Sequence, residues 1–132
     1  MIYTIFILNA LLLFVLAYFV WKFVLNSALG YFFWVGLIIK FGITFFVANY
    51  YSSGDMYFIN KYSLNLTEIP FYYPFKDYLK LLFFSEFPDE TTRLYMVFWG
   101  NPRTFFVMKI CSVLNFITNN NYYLNNLYFT LF

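Results

Sequence analysis

Two long apolar stretches at the start of the chain predict a transmembrane helical hairpin. Residues 1–24 contain no charge before Lys22, and a second apolar stretch covers residues 31–49. About 20 such residues at about 1.5 Å each cross a hydrocarbon core about 30 Å thick. Because only a short break at 26–30 separates them, the two helices must be antiparallel neighbours. We therefore expect a hairpin over residues 1–49.

A cleaved signal peptide is the alternative interpretation of the first stretch. Such a peptide places its positive charge before a shorter apolar run. Here Lys22 follows the run, and Trp21 beside it is typical of an anchor at the membrane interface. The pattern favours a retained span.

A charged residue, Lys40, lies near the middle of the second span. A lysine at that depth costs roughly 2.5–3.5 kcal/mol on insertion scales. Either it snorkels or faces a neighbouring helix or wet cavity, or it is a buried cation that holds an anionic ligand or partner. Gly36 and Gly42 flank it without the spacing of a GxxxG dimer motif.

The polar part of the chain, residues 50–103, predicts a loop that rests on the membrane surface. It contains all six acidic residues and five of the eight basic ones, yet remains rich in Phe, Tyr and Leu. An amphipathic helix is predicted from Pro74, because proline is favoured at the first helical position. Pro88 ends this helix, and the sequence 89–92 favours another helical turn.

The last part of the chain predicts a third span and the start of a fourth. The apolar run over 104–118, interrupted by Lys109, is short, so we expect it to be tilted or half-buried beside other helices. A polar turn at 119–121 precedes a new apolar run. We interpret residues 104–132 as a third transmembrane helix and the truncated start of a fourth, in the N-terminal part of a longer protein. The predicted fold class is all-α, a polytopic membrane protein.

Composition supports a membrane protein and excludes several function classes. The chain is 63% hydrophobic and 11% charged, against about 45–50% and 25% in soluble domains. A net charge of +2 with no basic cluster excludes a nucleic-acid partner. One cysteine and no histidine exclude disulfides within the chain and histidine-based catalysis. The positive-inside rule leaves the topology open, because the charges lie in a loop of more than 50 residues.

The candidate catalytic residue is Asp55, which follows the second span by a few positions. A carboxylate at the membrane surface can take a proton from a sugar hydroxyl as it attacks a lipid-linked donor. The alternative is an ordinary turn or helix cap.

Four further charged residues are candidates for ligand binding. Arg93 and Arg103 could each grip a phosphate through the planar guanidinium, or pair with lipid headgroups or carboxylates. Asp89 and Glu90 could bind a divalent cation, or form a charge cluster at a helix N-terminus.

From about residue 50 to its end, the chain resembles polytopic inner-membrane proteins of Bacteroidetes-type bacteria that are related to the GT-C glycosyltransferases. The matching elements share their order and spacing: Gly54-Asp55 with Tyr57-Phe58, the helix 78–83, the segment 98–104 leading into 107–110, and the turn 120–123.

The resemblance implies an enzyme of envelope glycan assembly that uses a polyprenyl-phosphate-linked sugar. The loop 50–103 would then be periplasmic, and Asp55 would be the catalytic or metal-associated acid. The chain departs from the family in lacking a second acid close to Asp55, since position 57 is Tyr57. Such enzymes have about ten spans, so activity would require the remaining helices of a longer chain.

A small non-catalytic subunit of a multi-subunit membrane complex, such as a respiratory complex, is the alternative. Its partners would be the lipid bilayer and other subunits. A pore or transporter has little support, because only Lys40 and Lys109 are ionisable within the predicted spans.

Overall fold

The computed structural model describes residues 2–50, 55–96 and 98–131. Within these ranges the chain forms seven α-helices and no strand, which confirms the all-α prediction. The helices are α1 (Ile2–Val24), α2 (Ala28–Tyr50), α3 (Asp55–Tyr72), α4 (Phe75–Phe84), α5 (Glu90–Tyr95), α6 (Pro102–Thr118) and α7 (Tyr122–Leu131).

Among the described helices, α1 and α2 are the two that are long and apolar enough to cross a membrane. The core helix of a soluble protein is mostly buried, whereas only 17% of the most apolar stretch of α1 and 6% of that of α2 are buried. Their apolar side chains point outward, so these helices indicate membrane association near the N-terminus.

The helices divide into two compact units. The hairpin unit contains α1, α2 and α7, and the core unit contains α3, α4, α5 and α6. The segment predicted as a helical pair, 104–132, is thus shared between the units, because α6 packs on α3 whereas α7 packs on α1 and α2.

The turn of the hairpin unit depends on a close backbone approach at Gly30. A Cβ atom at this position would lie 2.7 Å from the carbonyl oxygen of Val24 and 2.8 Å from Leu25. The indole nitrogen of Trp21 donates a hydrogen bond to the Gly30 carbonyl at 3.3 Å. The rings of Trp21 and Trp34 then pack across the hairpin, 6.1 Å apart.

Hydrogen bonds between side chains hold α7 in the hairpin unit. The Tyr128 hydroxyl donates to Oδ1 of the buried Asn9 at 2.8 Å. The hydroxyls of Thr44 and Thr130 are 2.7 Å apart. Such bonds satisfy polar groups that would otherwise be buried without partners among apolar helices.

Caps define the short helices of the core unit. Asp89 caps α5 by accepting a hydrogen bond from the Thr92 amide at 2.6 Å. The Asn101 side chain caps α6 by accepting a hydrogen bond from the Thr104 amide, and Pro102 is the first residue of α6. The predicted helix after Pro74 is confirmed as α4. Pro74 lies at its N-cap instead of its first position, and the helix ends at Phe84, before Pro88. The predicted turn after Pro88 is confirmed as α5.

The core unit combines an apolar cluster with a buried polar network. The apolar cluster consists of Leu66, Ile69, Tyr78, Leu81, Met96, Phe105 and Met108. In the network, the Asn115 amide donates to the hydroxyls of Ser63 at 3.0 Å and Thr67 at 2.9 Å. The hydroxyls of Tyr78 and Ser112 are 2.9 Å apart. These bonds join α3 and α4 to α6, so Ser63 and Thr67 of α3 are part of the interior.

Candidate functional site

A cavity of about 850 Å³ lies in the core unit, where residues of α4, α5 and α6 meet. This size is within the range of small-molecule sites. Three residues that the sequence indicated, Asp89, Glu90 and Arg93, line it together with Lys109 and Trp99. The cavity is therefore the candidate functional site of the described chain.

The buried cation of this cavity is Lys109, whose residue surface is only 8% exposed. Its Nζ donates to the Leu82 carbonyl at 3.0 Å and to the Ser85 hydroxyl at 2.7 Å, and lies 5.0 Å from the centre of the Phe105 ring. An ammonium group has three donors, and these two acceptors are neutral.

No carboxylate compensates the charge of Lys109 within the described ranges, where the ion pairs are Lys80–Asp77 and Arg93–Glu90. A buried charge is costly unless an opposite charge or further hydrogen bonds offset it. The hydrogen bonds from Lys109 thus use two of its three ammonium donors on neutral acceptors, and the residue lines the cavity.

The second cation, Arg93, is held on α5 between a carboxylate and an aromatic ring. Its guanidinium forms an ion pair with Glu90, and its Cζ lies 5.1 Å from the centre of the Trp99 ring. The buried Nε has no hydrogen-bond partner among the described residues. The guanidinium is thus fixed in position while one donor remains unused.

Both carboxylates of the cavity have roles within the protein. Asp89 accepts hydrogen bonds from the Tyr73 hydroxyl at 2.5 Å and from the Thr92 amide at 2.6 Å. Both bonds lower the pKa of Asp89 below its usual range, and the bond from Tyr73 has the largest effect. Glu90 pairs with Arg93. The two acids therefore fit the helix N-terminus alternative, and no group of three metal-ligating side chains occurs in the described ranges.

The structure places Asp55 at a different cavity. Asp55 is the exposed first residue of α3 and lines a cavity of about 380 Å³ with Tyr62, Phe98 and Asn101. A carboxylate is favoured at this end of a helix by the helix dipole. Arg103, exposed in the first turn of α6, lines neither cavity. The structure thus does not bring Asp55, Arg93 and Arg103 into one cavity.

The role of Lys109 is the part of the site that sequence reasoning missed. Its signal was the recurrence of Phe105, Lys109, Ser112 and Asn115 at steps of three and four, which places them on one helix face. The structure buries that face. A lysine that lies on the same helix face as buried residues indicates an interior cation rather than an interruption of a membrane span.

No family model matches the chain, and neither the curated proteins nor the solved structures contain a match to it.

Proposed function

We propose that the protein is anchored in a membrane by α1 and α2, and that its core unit binds the phosphate of a lipid-linked ligand. The observation that carries this proposal is the buried Lys109 ammonium, which lines the cavity without a carboxylate partner. An anionic group in the cavity would supply the missing opposite charge.

The chemistry of the cavity favours an amphiphile over a free inorganic anion. Lys109 and Arg93 both line the cavity, and both residue types bind phosphate oxygens. Phe83, Trp99 and Phe106 line the same cavity and offer apolar surface to a hydrocarbon chain. A phosphate attached to a lipid matches both parts of this lining.

The finer proposal is that the chain is the N-terminal part of a GT-C-type glycosyltransferase of a bacterial inner membrane. The ligand would be a polyprenyl-phosphate-linked sugar, and the core unit would lie on the periplasmic side. Asp55, which lines a cavity separate from that of Lys109, would take the proton of the acceptor hydroxyl. In the full-length protein, Asp55→Asn is expected to abolish sugar transfer without changing membrane insertion, and transfer at the wild-type rate would remove Asp55 from the mechanism.

The binding proposal is tested with undecaprenyl phosphate and its uncharged alcohol, undecaprenol. Native mass spectrometry of the detergent-solubilised chain counts the bound lipid directly. We expect the phosphate to bind and the alcohol to bind much more weakly. Lys109→Met should weaken phosphate binding by about tenfold or more, because it removes a charged hydrogen-bond donor.

The matched control is Lys80→Met, which removes the same charge from a side chain that is 54% exposed. It should leave binding nearly unchanged. Equal binding of the phosphate and the alcohol, or equal losses in the two lysine variants, would contradict the proposal.

A further inference from the structure

One face of α2 has no neighbour within the hairpin unit. Gly36, Lys40, Ile43 and Val47 follow one another at steps of three and four, so they share a side of the helix. All four residues are exposed, and a Cβ atom added at Gly36 would meet nothing within 4 Å. We call these four residues the Lys40 face.

Other positions of α2 make its contacts with α1 and α7. Trp34 stacks on Phe14 of α1 with ring centres 5.7 Å apart. Thr44 and Phe45 contact α7, the first through the bond to Thr130 and the second through the ring of Tyr123 at 6.0 Å. The Lys40 face is therefore not needed to close the hairpin unit.

The depth of Lys40 makes an unpartnered ammonium costly if α2 spans a bilayer. Lys40 is twelve residues from Ala28 and ten from Tyr50, which corresponds to about 18 Å and 15 Å along the helix. A four-carbon stem covers less than half of either distance. Snorkelling alone therefore leaves the charge within the hydrocarbon.

We propose that the Lys40 face docks against a membrane helix that is not part of residues 1–132, and that this helix places an Asp or Glu carboxylate at the depth of Lys40. The proposal rests on the proposed membrane insertion of α2. Charge complementarity identifies the partner, because a carboxylate offsets a lysine in hydrocarbon. Gly36, one turn away, allows the partner backbone to approach closely.

A second copy of the hairpin cannot be this partner. All six acidic residues of the chain lie between Asp55 and Glu90, so α1 and α2 contain no carboxylate. The carboxylate has to come from a helix of another kind.

The test uses the full chain in lipid nanodiscs with a leucine-rich, single-span peptide that contains one Asp at its midpoint. Control peptides have Leu at that position, or the Asp moved to the end of the span. Energy transfer between fluorophores measures association. We expect the midpoint-Asp peptide to associate about tenfold more tightly than either control.

Variants of the chain test whether Lys40 causes the preference for the midpoint-Asp peptide. Lys40→Leu should remove the preference for the midpoint-Asp peptide, Lys40→Arg should keep it, and Lys22→Leu, which removes a charge at the end of α1, should also keep it. Equal association of all three peptides, or a preference that survives in Lys40→Leu, overturns the docking proposal.

Alkaline carbonate extraction of the same membranes distinguishes a failure of docking from a failure of the membrane insertion of α2. A chain that stays in the membrane but shows no preference contradicts docking alone. A chain that carbonate releases contradicts the membrane insertion of α2, and the docking proposal fails with it. A photo-crosslinker at Val47 that yields chiefly a dimer of this chain would also overturn the proposal, with Ile38 on the other side of α2 as the control position.

Discussion

Lys109 and Lys40 both interrupt apolar sequence, yet the structure gives them opposite environments. Lys109 is buried beside two neutral acceptors and the ring of Phe105. Lys40 is exposed on α2. The difference arises because the neighbours of Lys109 in sequence, Ser112 and Asn115, continue a polar interior face, whereas Lys40 is the only charge of α2. The same residue type therefore belongs to the proposed ligand site in one helix and to the proposed docking face in the other.

The cap of α5 should make the core unit sensitive to acid through Asp89. Hydrogen bonds from Tyr73 and Thr92 lower the pKa of Asp89 in the folded chain below its ordinary value of 3.8. Its ionised form therefore stabilises the fold at pH values above 3.8, and this contribution is lost as the pH falls through the lowered pKa of the folded state. Thermal unfolding followed by circular dichroism should show Asp89→Ala to be less stable than the wild type at pH 7.

The pH dependence distinguishes the cap from a general loss of charge. The stability difference between wild type and Asp89→Ala should shrink only in strong acid. Asp89→Asn should keep most of the cap, because Asn is also a good N-cap residue. Glu86→Ala removes an acid outside the helices and serves as the control. A difference that stays constant down to strong acid would show that ionised Asp89 does not stabilise α5.

At the scale of helices, Gly30 should be the least replaceable position of the hairpin turn. In Gly30→Ala the new methyl group would lie 2.7 Å from a backbone oxygen that cannot move without opening the turn. Forced packing of this kind costs about 1–3 kcal/mol. Gly42→Ala, where nothing lies within 4 Å, should be neutral or slightly stabilising. Urea unfolding in detergent micelles compares the two, and equal effects would contradict the close approach at the turn.

A helix could be predicted from the sequence where the residues that determine it are neighbours along the chain. Caps and apolar length are local, so the sequence located α1, α2, α4 and α5. The helix α3 was instead expected to be part of a surface loop, because charged residues make the segment 50–103 polar. The helix also contains three uncharged polar residues, Asn60, Ser63 and Thr67. The structure buries these residues, and the hydrogen-bond donor for Ser63 and Thr67 is Asn115, about 50 positions further along the chain. No local pattern contains that pairing.

The candidate site was predictable only in part, for the same reason. Asp89, Glu90 and Arg93 are close in sequence and line one cavity, so their proximity follows from one short helix. Lys109 reaches that cavity through the packing of α6, and Asp55 lies at another cavity. The sequence named residue types that can bind phosphate, but it could not tell which of them share a cavity.

At the scale of the whole molecule, the two units should have separable membrane behaviour. The hairpin unit contains both candidate spans, whereas the core unit has its own apolar cluster and polar network. The core unit also exposes large apolar side chains, namely Phe71, Tyr72, Phe83, Phe84, Leu94 and Tyr95. Such a surface fits the predicted contact with a membrane surface, which buries apolar area without crossing the bilayer.

We therefore expect a fragment of residues 54–120 to bind liposomes peripherally and the full chain to insert into them. Alkaline carbonate should release the fragment and leave the full chain in the pellet, because only the full chain contains α1 and α2. Replacing Phe83 and Phe84 by Ser should weaken liposome binding of the fragment, whereas Lys61→Ser, a change at an exposed charged position of α3, should not. Circular dichroism confirms that each fragment remains helical before binding is compared. Release of the full chain by carbonate would contradict the transmembrane hairpin. A helical fragment that does not bind liposomes would contradict the membrane-surface role of the core unit.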